Sequence, residues 1–206
     1  RSPVRTEADA DFEMSIDLFG ELVRQHPAIP VYRERLAGSL MNRGMYTTDP
    51  DLAVRMIDQA VETLRQLVED YPTWIDFRRT YAGALSNAAA KRMEQEHDLP
   101  RAEQLVRQAI HQQEKVLGFK PEDTTANHYL ANHYGILAEL LTRQGSDPAN
   151  VIDACSKGLE VADRLHQRYP DNDYVKFITR RLVEGKRNAE QAMTPIDKED
   201  SSSRNR

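Results

Sequence analysis

The sequence predicts an all-α protein built from four copies of one helical unit. Each of four long helical patterns is followed by a proline, and a triplet of small, large and small residues recurs inside each pattern. Strand signals are weak, because the chain lacks sustained apolar–polar alternation and has no Asn-Gly hairpin. A fixed period of this kind is typical of stacked helical arrays. The prolines, in steps of 45, 49 and 49 residues, are Pro27, Pro72, Pro121 and Pro170.

The triplet predicts the first helix of each unit. Spacings of four and three residues place its members on one helix face. The small third residue lets a neighbouring helix approach closely, and the large residue fills the groove beside it. Cys155 occupies a large position, so we expect it in the core rather than as a nucleophile. The four triplets are Ala8, Phe12 and Ser15; Ala53, Ile57 and Ala60; Ala102, Val106 and Ala109; and Val151, Cys155 and Gly158.

The second helix of each unit is predicted to begin just after the proline, which lacks an N–H and disfavours a helical predecessor. The first two copies, "PVYRERLAGSLMNRG" from Pro30 and "IDFRRTYAGALSNAA" from Ile75, align at a distance of 45 residues. Between units, "TTDPD", "HDLPR" and "GSDPA" place an acidic residue near a proline, a helix-start signal. The fourth copy carries more charge, as a terminal repeat requires. The predicted second helices span residues 31–46, 75–96, 124–144 and 173–192.

Composition bounds the size of the domain and the class of partner. The 206 residues are 39% hydrophobic and 30% charged, which suits one domain or a repeat array with a substantial core. The net charge of −5 argues against a nucleic-acid partner. No apolar run approaches the roughly 20 residues that span a bilayer, so we expect no direct membrane insertion. The expected location is the cytoplasm, within a parent protein that is either soluble or membrane-anchored.

The repeat pattern predicts one helical domain over residues 7–192. The opening "RSPVR" is typical of a linker, so residues 1–6 are expected to lie outside the domain and the chain to be a fragment of a larger protein. The ending "TPIDKEDSSSRNR" has no periodicity, so residues 193–206 are expected to form a disordered tail.

No motif in the sequence indicates catalysis, a metal or a cofactor. His128 and His133 are five residues apart, whereas a helical zinc pair is spaced by four. The single Glu94-x-x-His97 lacks the second such element that a di-metal bundle needs. The chain has no Gly-x-Ser-x-Gly elbow and no glycine-rich phosphate loop. We therefore expect a non-catalytic protein with no cofactor and no metal, whose histidines face solvent or lie at helix ends.

Two pairs of polar residues recur at the 45-residue period. Arg33 and Arg78 are predicted either to form repeated ion pairs or helix-end contacts, or to grip an acidic peptide or phosphate. Asn42 and Asn87 lie well inside their helices, where asparagine has poor propensity. Each asparagine is predicted either to cap a neighbouring backbone group or to present its amide to a ligand backbone.

The pattern resembles the tetratricopeptide repeat family. The resemblance is carried by the triplets, by the proline after the second helix of the family's hairpin, and by the third-unit residues Leu137, Ala138, Leu141 and Gly145, over about residues 7–190. The period is longer than the usual repeat of about 34 residues. The segment from Pro27 to Gly44, read as "P-x-x-P-x-Y-R-x-x-L-A-x-S-x-x-N-x-G", is similar to long-armed repeats appended to large bacterial serine/threonine protein kinases. The resemblance implies a right-handed α-solenoid of about four long helical hairpins, within a signalling protein.

In that family, peptides bind a concave wall formed by the first helix of each hairpin, and carried over to this chain that wall falls on the helices that follow the turn prolines. The resemblance therefore implies a protein–protein interaction scaffold that binds a peptide or a partner helix in a groove, with methionines supplying an adaptable apolar surface. The alternative is a structural spacer or self-association module that forms a homodimer. The expected partner-binding residues are Arg33, Met41, Asn42, Met45, Arg78, Ser86, Asn87, Met93, Asn132, Glu139 and Arg143.

Overall fold

The computed structural model describes residues 3–94 and 98–194, and their side chains from residue 9 onward. The all-α prediction is confirmed, since every regular element within these ranges is a helix. The eight helices are α1 (Pro3–Gln25), α2 (Pro30–Tyr46), α3 (Pro50–Asp70), α4 (Ile75–Met93), α5 (Leu99–Phe119), α6 (Thr124–Arg143), α7 (Pro148–Arg168) and α8 (Asp173–Met193).

The helix boundaries follow the predictions closely, except at the two ends of the chain. Each helix after a turn proline begins within one residue of its predicted start. The last two residues predicted for α4, 95 and 96, lie outside the described residues. Helix α1 begins at Pro3, so residues 3–6 are helical where a linker was expected. The predicted tail begins at Met193, the last residue of α8, and its residues 195–206 lie outside the described residues.

Local polar contacts mark the starts of α3 and α7, whereas Asp98 before α5 makes no capping hydrogen bond. Asp49 caps α3, because its Oδ1 accepts hydrogen bonds of 3.0 Å from the backbone N–H groups of Asp51 and Leu52, beside Pro50 at the first helical position. Asp147 caps α7 in the same way, next to Pro148. Both starts were predicted from the acidic residue before proline. A cap of this kind is worth about 0.5–2 kcal/mol of stability.

The helices form two layers, which we call the inner layer (α2, α4, α6 and α8) and the outer layer (α1, α3, α5 and α7). Every helix packs against the next one in the chain. Successive members of the inner layer also contact one another, whereas the described residues of the outer layer make no such contacts. Packing of this kind is consistent with a helical repeat. The inner helices therefore approach one another more closely than the outer helices do.

The second, third and fourth triplets lie in the core between these layers, whereas Phe12 and Ser15 of the first triplet are only half-buried. Ile57, Val106 and Cys155, at the large position, are fully buried, and burial raises the pKa of the Cys155 thiol. Gly158, at the small third position, has no room for a side chain. A Cβ there would lie 2.8 Å from Leu182 Cδ2 and 3.0 Å from Tyr134 Cβ. The close helix approach expected at the third position is therefore present in this unit.

A second close approach, at Gly44, gives a stability prediction. A Cβ at Gly44 would lie 2.7 Å from Ile57 Cγ1 and 3.0 Å from the carbonyl oxygen of Ala53, which belongs to the backbone of α3. Since backbone atoms shift less readily than a side-chain end, we expect Gly44→Ala to lower the free energy of unfolding by about 1–3 kcal/mol. Urea unfolding at pH 7 measures this change.

The matched control is Gly118→Ala in α5, where no atom lies within 4 Å of the added Cβ. This substitution should raise the free energy of unfolding by up to about 1 kcal/mol, because alanine has the better helix propensity. Equal unfolding midpoints for Gly44→Ala and the wild type would show that α2 and α3 are not in this contact.

Candidate functional site

A concavity of about 450 Å³ crosses the inner layer from α2 through α4 to α6. We call it the inner groove and define it by residues 37–42 of α2, 79–87 of α4 and 125–133 of α6, with Leu64 of α3 beneath them. Leu64 is almost fully buried, as are Ala37 and Ala84 beside it, so this part of the floor is apolar. A volume of this size lies within the range of ligand-binding clefts in proteins, about 300–1,000 Å³.

Five of the residues predicted from the sequence line this groove: Met41, Asn42, Ser86, Asn87 and Asn132. Met41 and Ser86 are buried in its wall. Asn42 and Asn87 are exposed, and Asn132 is half-buried. The exposed amides are available to a ligand, and each can donate two hydrogen bonds and accept two.

Two helix-interior glycines, Gly38 and Gly83, also line the inner groove and are equivalent by the 45-residue period. No atom lies within 4 Å of a Cβ built at either position. Neither glycine is therefore required by helix packing, although a mid-helix glycine costs about 0.5–1 kcal/mol relative to alanine. Their effect is to leave the backbone of α2 and α4 open to the groove.

Arg33 and Arg78 do not line the inner groove. Arg33 Nη1 donates a hydrogen bond of 2.7 Å to Asp70 Oδ2, which joins α2 to the end of α3. Arg78 is buried, and its Nη1 and Nη2 donate to Gln112 Oε1 (2.6 Å) and to the carbonyl oxygen of Pro72 (2.9 Å). These contacts fit the ion-pair and helix-end alternative. The prediction that this pair recognises an acidic ligand finds no support in their placement.

The repeat register explains the contact between Arg78 and the turn. One period later, Asn127 occupies the Arg78 position, and its Nδ2 donates a hydrogen bond of 3.0 Å to the carbonyl oxygen of Pro121. In both units a side chain on the second helix therefore holds the carbonyl of the turn proline. Arg33, one period before Arg78, donates to Asp70 instead, so the polar residues at this position all make structural contacts, but not the same one.

The other four predicted residues lie elsewhere. Met93 is buried in the hydrophobic core, and Met45 packs against that core. Glu139 and Arg143 line a separate concavity of about 530 Å³ between α6, α7 and α8. There Glu139 Oε1 accepts a hydrogen bond of 2.6 Å from Arg143 Nη2, and its Oε2 lies 3.6 Å from Arg181 Nη2. The single wall expected from the sequence is thus divided into two concavities.

His133 is a groove residue that the sequence reasoning missed. It lies in the middle of α6, lines the inner groove and is 1% exposed, so the expectation that the histidines face solvent or lie at helix ends is wrong for this residue. Neither ring nitrogen has a hydrogen-bond partner among the described residues. Desolvation lowers the pKa of His133 to about 4, so the imidazole is neutral at pH 7. The ring of Tyr129 lies nearly parallel to it, with 6.3 Å between centroids.

The charges at the edge of the inner groove are already paired. Arg79 lines the groove, and its Nη1 and Nη2 donate hydrogen bonds to Asp76 Oδ1 (2.9 Å) and Asp123 Oδ2 (2.7 Å). With two carboxylates on one guanidinium, this cluster offers no free positive charge to an acidic ligand.

Neither a metal cluster nor a membrane span is present in the described parts of the chain. No group of three or more His, Cys, Asp and Glu side chains is arranged to hold a metal ion within residues 3–94 and 98–194. Over the same ranges, no helix combines the length and the apolar character needed to cross a bilayer.

Comparison with known proteins identifies no family. No protein-family profile and no curated protein matches this chain. Among solved structures, it is similar to a protein described as "DHF58 filament", with 11% identity over 90% of this chain and 97% of the other, at a TM-score of 0.37. It is also similar to BtubC (BKLC) from P. vanneervenii, with 15% identity over 98% of both chains, at a TM-score of 0.34. Similarities of this size carry no conclusion about fold or function.

Proposed function

We propose that this chain is a non-catalytic protein-interaction module whose inner groove binds a short segment of a partner protein. The observation that carries the proposal is the repeat-related pair of exposed amides, Asn42 and Asn87, beside the open backbone at Gly38 and Gly83. A side-chain amide can pair with both the N–H and the C=O of a peptide backbone. Open space next to the amides lets that backbone approach.

The binding energy in this proposal comes mainly from the apolar floor. An apolar side chain of the partner would be buried against Leu64 and Met41, at about 25 cal/mol for each Å² removed from water. Methionine adapts its shape to different partners, which suits a groove that accepts more than one sequence. The amides of Asn42, Asn87 and Asn132 would fix the orientation and register of the bound segment.

The decisive experiment fills the groove without disturbing the fold. In Gly38→Gln/Gly83→Gln, both new side chains project into open space, so we expect unchanged or higher stability and loss of peptide binding. A displayed library of random dodecapeptides, selected on the wild-type chain, supplies the probes. Fluorescence anisotropy of the selected peptides should show at least a tenfold weaker Kd for the filled variant.

Gly118→Gln is the matched control for this experiment. Gly118 also has open space around an added Cβ, but it lies at an exposed position of α5 and does not line the inner groove. The control should bind the peptides as tightly as the wild type. If the library yields no binder, or if the filled variant binds the selected peptides equally well, the groove is not the binding site and the proposal is wrong.

The same proposal extends to family and setting. We infer that the chain belongs to the long-armed tetratricopeptide-like repeats, that its array is a right-handed superhelix over about residues 7–192, and that it serves a larger cytoplasmic signalling protein of the bacterial kinase type. The triplets, the turn prolines and the two-layer packing support the repeat assignment. The link to kinases rests on the sequence resemblance alone. An experimental structure that gave a left-handed array or a closed bundle would contradict this assignment.

Exposed apolar residues on the end helices favour self-association as a second candidate function. Met14 and Leu18 lie four residues apart on one face of α1 and are 69% and 56% exposed, and Phe177 of α8 is 56% exposed. If the α1 surface around Met14 and Leu18 joins two copies, sedimentation velocity should show a concentration-dependent dimer for the wild type. Met14→Gln/Leu18→Gln should then be monomeric, while peptide binding in the inner groove is unchanged. A wild type that stays monomeric at high concentration would exclude this candidate.

A further inference from the structure

We propose that the inner groove selects partner segments that place an uncharged hydrogen-bonding side chain, an amide or a hydroxyl, against His133. This inference rests on the proposed peptide-binding function and specifies its ligand. Three independent features of the groove lead to it: the unpaired imidazole, the repeat register at its position, and the balance of charge around it.

The first feature is that His133 is buried without hydrogen bonds. Its side chain lines the groove, the residue is 1% exposed, and neither Nδ1 nor Nε2 has a partner among the described residues. Buried polar groups in native proteins are nearly always hydrogen-bonded, so an unpaired one calls for an explanation. A ligand group that bonds to the ring in the complex provides one.

The second feature is that packing does not require a large polar residue at this position. By the repeat register, the equivalent residues of the two preceding units are Ala84 and Ser39, and both are buried. One period later the equivalent residue is Leu182, also buried, so the array accommodates small or aliphatic residues here and the histidine is specific to the third unit. The units therefore differ at position 133, which a segment bound across α4 and α6 would contact.

The third feature is the local charge. Desolvation lowers the pKa of His133 and keeps its ring neutral at pH 7, with one nitrogen as donor and the other as acceptor. The neighbouring Arg79 is held between Asp76 and Asp123, while its buried Nε has no partner among the described residues. The groove therefore offers no free cation to a buried carboxylate or phosphate, and the carboxylates that could attract an ammonium group, Asp76 and Asp123, are already bonded to Arg79. The group that fits is neutral and both donates and accepts, which describes Asn, Gln, Ser and Thr side chains.

The arrangement therefore divides the inner groove into two subsites. Around Leu64, Ala37 and Ala84 the floor is apolar and suits an aliphatic or aromatic anchor. Around His133 and Tyr129 the floor is polar but uncharged. A partner segment that satisfies both subsites carries an apolar residue and, at a fixed separation toward α6, an amide or a hydroxyl.

The test compares peptide selections on the wild type and on His133→Phe. Phenylalanine keeps a planar ring against Tyr129 but has no ring nitrogen, whereas His133→Gln keeps a donor and an acceptor. Dodecapeptides selected on the wild type should share Asn, Gln, Ser or Thr at one position, and those selected on His133→Phe should not. Wild-type-selected peptides should bind His133→Phe at least tenfold more weakly, and His133→Gln should restore part of the affinity.

A double-mutant cycle gives the sharpest result. Replacing the shared polar residue of the peptide with alanine should weaken binding to the wild type but cause no further loss with His133→Phe. Thermal unfolding of both variants establishes that they are folded before binding is measured. If peptides excluded by Gly38→Gln/Gly83→Gln bind His133→Phe and the wild type equally, this inference is wrong and the proposed function stands. If no peptide depends on the open groove, both are wrong.

Discussion

Replacing Gln113 with leucine is expected to raise the free energy of unfolding by about 1–3 kcal/mol. Gln113 lies in α5 and is fully buried, and neither its amide oxygen nor its amide nitrogen has a hydrogen-bond partner among the described residues. Such a group loses its hydration on folding and gains nothing in return. Leucine has a similar size, no polar atoms and a better fit to an apolar core.

The repeat register supports the choice of leucine. One period earlier the equivalent residue is Leu64, which is almost fully buried, and one period later it is Ala162, also buried. The array therefore accepts an aliphatic side chain at this position. The reverse change, Leu64→Gln, should lower stability by a similar or larger amount, because it places an amide in an apolar site.

Urea unfolding at pH 7 measures the effect as a shift in the midpoint, and calorimetry measures it as a Tm increase of a few degrees. Gln108→Leu is the matched control, since Gln108 is exposed on the same helix and its replacement changes no buried group. A Gln113→Leu protein no more stable than the wild type would mean that the amide is hydrogen-bonded in solution.

Acid is expected to destabilise the protein through His133. Desolvation lowers the pKa of this residue from about 6.5 to about 4 in the folded state. Between these values the unfolded chain binds a proton that the folded chain does not. The contribution of His133 to the free energy of unfolding is therefore highest above pH 6.5 and decreases as the pH falls toward 4. At about 1.4 kcal/mol for each pKa unit, the full loss is about 3 kcal/mol, of which about 2 kcal/mol is reached by pH 5.

The measurement is the free energy of unfolding between pH 7 and pH 5 for the wild type and His133→Phe. Carboxylates titrate in both proteins, so the His133 contribution is the difference between the two curves. The free energy of unfolding of the wild type should fall relative to that of His133→Phe as the pH falls from 7 to 5, because only the wild type has a histidine here that takes up a proton when the chain unfolds. His111→Gln, at an exposed position, should follow the wild type. Parallel curves for the wild type and His133→Phe would show that the pKa of His133 is not lowered by folding.

The helices could be predicted because their signals are local. A turn proline and an acidic residue before proline act within a few residues of a helix end, and the contacts of Asp49 and Asp147 show this directly. The repeat register also predicted burial at Ile57, Val106 and Cys155. Helix ends and burial at the triplet positions can therefore be read from neighbouring residues and from the repeat period, without knowing which residues contact each other across the fold.

The site was predicted only in part, because repetition does not distinguish a ligand contact from a structural one. Asn42 and Asn87 lie in the groove, whereas Arg33 and Arg78 recur with the same period and bind neighbouring helices instead. The partner of Arg33, Asp70, is 37 residues away, so no local pattern marks it. His133 was missed because its burial arises from packing. Its equivalence to the small residue Ala84 was the one signal in the sequence.

The contact between successive inner helices has a mechanical consequence. Each helix touches only near neighbours, so a small rotation at one interface is transmitted and added to the next along the array. The distance between α2 and α6 therefore depends on two interfaces, that of α2 with α4 and that of α4 with α6. A segment bound across all three helices would restrain both interfaces at once.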